Sequence, residues 1–331
     1  MGTLINVSSG TLGVLGLLDT RLDAPPTTAY LMVGGRCRND CAFCAQARSS
    51  KASALALSRV NWPAREEGEI LAAVSHAFAT GKIERCCLQV TVSPGYLERV
   101  KRIAADIGDR VPLGASVVAD ADQAGELLEA GLERVGLALD AAGQEAYRRV
   151  KGGDQAESLA VIQEAARRFP GRIASHVIVG LGETEEEMVR TICCLDDWGV
   201  TVALFAFTPV PGTAMEGQAP PLLDSYRRIQ VACHLIVKKL AKVSDFTFSP
   251  EGRILFFGLA ENELRTLLSD GKAFETSGCP GCNRPYYNER PGGPLYNYPR
   301  PLAPAEARQA IEESLSQSAA EGSRLERAEC L

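Results

Sequence analysis

The sequence contains no apolar run approaching the roughly 20 residues a membrane-spanning helix requires. It holds only three histidines, His76, His176 and His234. Acidic residues outnumber basic ones, 41 to 35, and the net charge of -6 argues against broad electrostatic binding to nucleic acid. The first residues, MGTLINVSSGTLGVLGLLDTRLD, lack the basic start of a secretory signal. Their sixth residue is neither Ser nor Thr, which disfavours myristoylation. No internal repeat or low-complexity block is found. Cysteine, in contrast, is abundant, at eleven in 331 residues. Without an export signal, that count points to a reducing, cytoplasmic setting and to metal chemistry, not to a disulfide framework.

Apolar or β-branched runs occur at 30–33, 86–92, 112–118, 134–139, 172–179, 201–207 and 245–248, with a weaker one at 272–275. Helical patterns lie between them, near 66–79, 94–108, 121–130, 156–168, 185–198 and 221–242. Such alternation indicates a parallel sheet with helices outside. About eight units predict an α/β fold of the TIM-type (β/α)8 barrel, with a doubly wound open sheet as the alternative. On this reading residues 1–28 are an N-terminal cap and 29–275 the barrel. Residues 276–331 are a C-terminal extension, irregular at first and ending in a charged helix.

Three cysteines, Cys37, Cys41 and Cys44, sit in GGRCRNDCAFCAQ directly after the strand-like Tyr30-Leu31-Met32-Val33. In a barrel that loop lies at the C-terminal, catalytic end of the strand. Three thiolates can hold three irons of a 4Fe-4S cubane and leave the fourth iron to an outside ligand. A structural zinc site usually takes four ligands from two separated pairs, and no histidine is near. A second pair, Cys279-Pro280-Gly281-Cys282, falls in a Gly/Pro turn after the last expected strand, and can bring two sulfurs to one metal. A thioredoxin-like redox pair would need a helix start that Pro285 and the glycines do not supply. A zinc staple completed by Cys86 or Cys330 remains open. Cys86 and Cys87 are neighbours on one strand, so only one of them faces the interior. Cys193, Cys194 and Cys233 lie in helical patterns and read as small core residues.

Two further segments fit a ligand site at the same end. His176-Val177-Ile178-Val179-Gly180-Leu181-Gly182-Glu183-Thr184 runs from a strand into a glycine turn, where Thr184 and Glu187 form a capping box. Leu137-Ala138-Leu139-Asp140 ends a strand in a carboxylate. An ordinary βα turn and a helix cap are the alternatives.

The C-x3-C-x2-C spacing after a strand, with Phe43 before the last cysteine, resembles the signature of the radical S-adenosylmethionine (radical SAM) family. VIVGLGETEEE, LALDAAGQEAY and Ser249-Pro250-Glu251-Gly252-Arg253 look like segments of its biotin-synthase-like group. The resemblance implies that the open iron binds S-adenosylmethionine, which one-electron reduction cleaves to a 5′-deoxyadenosyl radical. It implies that Phe43, Asp140 and Ile178 position that ligand, that Gly180 and Gly182 shape its pocket, and that Arg253 ligates an auxiliary cluster. Biotin synthase binds that cluster with three cysteines and the arginine. Here Cys87 is the one such cysteine; Leu113-Gly114-Ala115-Ser116-Val117 has none, and Ala174 fills another position. The departures, with the GCPGCNRPYYNERPGGP segment, resemble the two-protein lipoyl synthases of the group. That likeness implies sulfur insertion into a protein-bound octanoyl chain, with Cys279 and Cys282, aided by Cys87 and Arg253, holding a second iron–sulfur cluster. Implied partners are a lipoyl-carrier domain bearing octanoyl-lysine, a sister radical SAM protein, and an electron donor such as ferredoxin or flavodoxin. Tyr286, Tyr287 and Tyr296 would line the mouth where the carrier docks.

Overall fold

The computed structural model describes residues 3–20, 22–289 and 292–316, so Cys330 and the outer part of the expected terminal helix lie outside it. The chain opens with β1 (Leu4–Val7) and α1 (Ser9–Val14). β2 (Thr28–Val33) is buried along its whole length, as its continuous apolar run requires. A small hairpin, β3 (Ala56–Leu57) and β4 (Val60–Asn61), and then β5 (Ala64–Glu66) lead into α2 (Glu67–Ala79). Strands and helices then alternate: β6 (Arg85–Val90), α3 (Tyr96–Ile107), β7 (Leu113–Val117), α4 (Ala121–Glu129) and β8 (Arg134–Leu137). Next come α5 (Gln144–Val150), α6 (Gln155–Arg168), β9 (Ile173–Val179), α7 (Glu185–Asp197), β10 (Thr201–Ala206) and α8 (Leu223–Val237). The hairpin β11 (Thr247–Phe248) and β12 (Ile254–Phe256), α9 (Glu261–Leu268) and α10 (Pro304–Leu315) complete the described chain.

Eight strands form one sheet in the order β10-β9-β8-β7-β6-β2-β1-β5. The six from β10 to β2 pair in parallel, whereas β1 runs antiparallel to β2 and β5 antiparallel to β1. This is the TIM-barrel-like α/β fold that the alternation predicts, built on six parallel strands. The two runs expected as the last barrel strands do not join the sheet. Residues 247–248 pair only with 254–256, and Lys272–Phe274 is a single 3-10 turn. Turns closed by Gly252 N to Ser249 O and Phe274 N to Gly271 O, both at 2.9 Å, interrupt them before they reach strand length. The N-terminal segment, expected as a cap, instead adds β1 to the sheet. No helix among the described residues is long and apolar enough to cross a membrane.

Register sets what faces the barrel axis. Tyr30 lies opposite Cys87, Cys87 opposite Gly114, and Gly114 opposite Arg134. Paired residues share a face, so these four form one inward row near the strands' N-terminal ends. Two residues further along, Met32, Gln89, Ser116 and Gly136 form the next row. Cys86, on the opposite face, is buried with Ala29 and Leu113 in the core under the helices. The free edge of β10 is covered by the C-terminal extension: Leu204 N donates to Ser277 Oγ at 2.8 Å, and Arg284 Nη2 donates to Leu204 O at 3.2 Å.

Candidate functional site

Beyond β2 the chain reverses at Gly34, whose φ is 99°. A Cβ there would lie 2.3 Å from Thr91 Oγ1, so only glycine fits. The cysteine loop is folded by its own main chain, with Cys37 N donating to Gln46 O at 2.8 Å and Cys44 N to Cys41 O at 3.0 Å. Arg36 clamps it, donating to Ala45 O at 2.6 Å and Ala52 O at 2.8 Å. Val92 N donates to Cys37 Sγ at 3.3 Å. Cys37, Cys41 and Cys44 are free and line a cavity of about 220 Å³, together with Phe43, Asp140 and Ile178. Burial pushes the Cys41 thiol up to about 12 and the Cys44 thiol to about 11. Thiols held that high give up their protons at neutral pH only to a bound metal.

Asp140 lies just past β8 and is tied to β9, its N donating to His176 O at 2.9 Å and its O accepting from Ile178 N at 2.7 Å. It holds a left-handed φ of 67°. Lys151 Nζ and His176 Nε2 each sit 2.7 Å from its carboxylate. Burial alone would raise this carboxyl, but the Lys151 ammonium and the contact with His176 outweigh it and hold the group well below the usual range. Each oxygen retains a lone pair that a sugar hydroxyl can use. Gly180 and Gly182 do not line the cavity. They form the turn into α7, where Glu183 accepts from Gly180 N at 2.7 Å and Leu181 N at 2.9 Å. The capping box is formed: Glu187 N donates to Thr184 Oγ1 at 3.1 Å and Thr184 N to Glu187 Oε2 at 2.8 Å.

Cys279 and Cys282 are not at the strands' C-terminal end, where the sequence reading puts them. They close the barrel from the opposite end, because the chain returns beneath it after α9. Gly281 O accepts from Thr27 Oγ1 at 2.6 Å and Thr28 Oγ1 at 3.2 Å, and Pro280 O accepts from Arg85 Nη1 at 3.0 Å. There they meet Cys87 around a chamber of about 80 Å³. Gln89 Nε2 donates to Cys87 Sγ at 3.3 Å, and Tyr30 Oη lies 3.3 Å from Cys282 Sγ. Gln89, Ser116, His176 and Phe205 line both this chamber and the upper cavity, so the two cysteine groups face one axis across a shared wall. Arg253 is elsewhere: it immediately precedes β12 and donates to Ser316 O at 2.9 Å. The arginine bonded to one of these cysteines is Arg284, whose Nη1 lies 3.6 Å from Cys282 Sγ.

Residues 31–193 match the family model of the radical SAM superfamily. Over that half of the chain it carries a radical SAM domain, and the curated relatives it matches are biotin synthases. A biotin synthase of Magnetococcus marinus is 32% identical over 167 residues, 49% of this chain and 50% of the relative. One from Desulforudis audaxviator is 31% identical over 205 residues, 60% of each chain. The chain thus spans 50% to 60% of the length of these curated relatives. Among solved structures, methylornithine synthase (PylB) matches with a TM-score of 0.51 at 15% identity, over 64% of this chain and 62% of that one. The [FeFe]-hydrogenase maturase HydG from Carboxydothermus hydrogenoformans matches with a TM-score of 0.52 at 18% identity, over 65% and 52%. At such identities these two likenesses establish the fold alone.

The radical SAM signature loop and the Phe43, Asp140 and Ile178 positions thus share one cavity. Among the described residues no three His, Cys, Asp or Glu converge tightly enough to hold a single metal ion. A cubane makes a different demand, since each cysteine binds its own iron. Sequence reasoning assigns no place in this cavity to Lys151, His176 or Gln89. His176 opens the strand-to-turn motif but has no role there, and Lys151 gives no local signal. Of the tyrosines, Tyr287 lines the upper cavity, edge-on to Phe205 at 5.8 Å between centroids. Tyr286 bonds Asp23 at 3.2 Å, and Tyr296 bonds Pro221 O at 2.7 Å.

Proposed function

We propose that the protein is a radical SAM sulfurtransferase that inserts sulfur at an unactivated C–H carbon of a protein-bound octanoyl chain, as in lipoyl cofactor biosynthesis. The observation that carries this reading is the shared wall between the Cys37/Cys41/Cys44 cavity and the Cys87/Cys279/Cys282 chamber. The donor sets fit two iron–sulfur clusters: three free thiols in each, and at the lower one a buried Arg134 Nε with no partner among the described residues. When bound, the upper cluster supplies the electron that splits S-adenosylmethionine and the lower one supplies sulfur.

The chain's own residues then have separable tasks. Cys37, Cys41 and Cys44 are the upper ligands; Cys87, Cys279 and Cys282 are the lower ones. Asp140, pinned by Lys151 and His176, offers its remaining lone pairs to ribose hydroxyls, and Ile178 and Phe43 provide apolar contact for the ligand. Phe205, which lines both cavities, and Tyr287, which lines the upper one, help exclude water from a radical. The partners of this reading are a lipoyl-carrier domain bearing octanoyl-lysine, a sister radical SAM protein, and ferredoxin or flavodoxin as reductant.

The test uses anaerobically reconstituted protein, an octanoylated carrier domain and a chemical reductant. Cys279→Ala should abolish sulfur insertion while 5′-deoxyadenosine still forms. Sulfur insertion that survives in Cys279→Ala would reduce the pair to a structural turn and favour a rearrangement or metal-centre maturation instead.

A further inference from the structure

Three guanidinium groups converge on the lower chamber from three separate elements. Arg85 opens β6, Arg134 opens β8, and Arg284 follows Cys282 by two residues; all three line the chamber. They are fixed mainly by neutral groups. Arg85 donates to Pro280 O at 3.0 Å and Arg134 to Thr201 Oγ1 at 2.7 Å. Arg284 donates to Ser277 O at 2.8 Å and covers the Phe205 ring at 4.2 Å. Among the described residues the only acid bonded to any of them is Glu133, 2.6 Å from Arg85 and itself 41% exposed.

Two features single out this arrangement. Arg134 Nε is buried and donates to nothing among the described residues, a state that native structures rarely leave unexplained. Arg284 holds a φ of 37°, an unfavourable conformation for any residue but glycine, and its amide donates to Tyr30 Oη at 3.1 Å. Strain of this kind persists where surrounding contacts fix a side chain for use. A chamber with three fixed cations, one outlying carboxylate and a spare donor is complementary to a compact, multiply charged anion. Three thiolates around an iron–sulfide core form such an anion.

We propose that Arg85, Arg134 and Arg284 form a cationic cage that donates hydrogen bonds to the sulfur atoms of the lower cluster and favours its more reduced, more negative state. This inference rests on the two-cluster reading above. Where sequence likeness gives Arg253 a ligand's role, the cage consists of three residues that the fold, not a motif, brings together, and they donate to sulfur without ligating iron. Hydrogen bonds to sulfur and nearby charge are two of the levers that set cluster potentials.

The experiment uses the full chain carrying Cys37→Ala, Cys41→Ala and Cys44→Ala, so that only the lower cluster remains. Arg134→Gln and Arg134→Lys are compared in that background by redox titration followed by electron paramagnetic resonance, and by the rate of iron loss to a chelator. The cage predicts a lower midpoint potential in Arg134→Gln, about ten-fold faster iron loss, and a potential restored toward the parent by Arg134→Lys. A Gln variant that keeps the parent's circular dichroism spectrum yet takes up no iron also supports the cage. An iron-loaded Gln variant with parental potential and chelator rate overturns it. A parent that binds no iron overturns instead the two-cluster reading, and the cage with it.

Discussion

Replacing Asp140 by Asn removes one negative charge and little else. The residue's φ of 67° lies in the left-handed region, which Asn tolerates better than most L residues, so the backbone term is unchanged. What disappears is the countercharge for Lys151 and a carboxylate oxygen facing His176, both 2.7 Å away. Breaking one side of a buried ion pair typically costs about 3–5 kcal/mol. Lys151 Nζ keeps Ala138 O at 2.8 Å and Leu139 O at 3.2 Å, which brings the cost to the bottom of that range or just under it, about 2–3 kcal/mol. The sign of the pH dependence follows from the depressed carboxyl. Its stabilisation is fully present above its unfolded value, near 4, and is lost as pH falls toward its lower folded value. Urea unfolding of the apo-protein should therefore show the variant's midpoint lower by roughly 1 M at pH 7. The deficit should narrow as pH falls from about 4 to 3. Asp140→Asn combined with Lys151→Met should recover part of it, because the orphaned cation is gone. Equal midpoints at pH 7, or a deficit that widens toward pH 3, would refute the reasoning.

Other expectations are as direct. Gly34→Ala places a Cβ 2.3 Å from Thr91 Oγ1 at a φ of 99°, so it should lower stability by about 1–3 kcal/mol and reduce iron uptake by the upper loop, measured per chain after reconstitution. Burial raises the Glu183 carboxyl to about 7 despite its bonds to Gly180 N and Leu181 N. A raised acid stabilises the fold at low pH and loses that contribution as pH climbs from about 4.5 to 7. The pH–Tm profile of Glu183→Gln should consequently be flatter than wild type across that window, and parallel profiles would contradict it.

The cysteine loop and the Asp140 and Ile178 positions were legible because they depend on local order: strand, then turn, then ligand. Even the register could be anticipated in part, since adjacent Cys86 and Cys87 must face opposite sides, and they do. The location of Cys279-Cys282 could not be read. It depends on the runs at 245–248 and 272–275 failing to become strands, which sends the extension beneath the barrel. Short apolar runs give no periodicity to reveal that. Arg253 lies away from the lower cysteines for the same reason, because the run at 245–248 that precedes its segment forms a short hairpin outside the sheet. Arg85 and Arg134 did leave a trace: each is a charged residue opening a mostly apolar strand, which calls for an anionic partner inside.

The floor of the barrel is supplied by a segment that follows α9 in the chain. Arg85 and Pro280, whose bond helps seal it, lie 195 positions apart. At about 5–20 residues per second, a ribosome needs on the order of 10–40 s to cover that distance. During this interval the upper loop, with β2 and β6 already made, exists above an axis still open from below. On the two-cluster reading the two sites are therefore born in sequence, and the lower one can be filled only after Cys279 and Cys282 have been made.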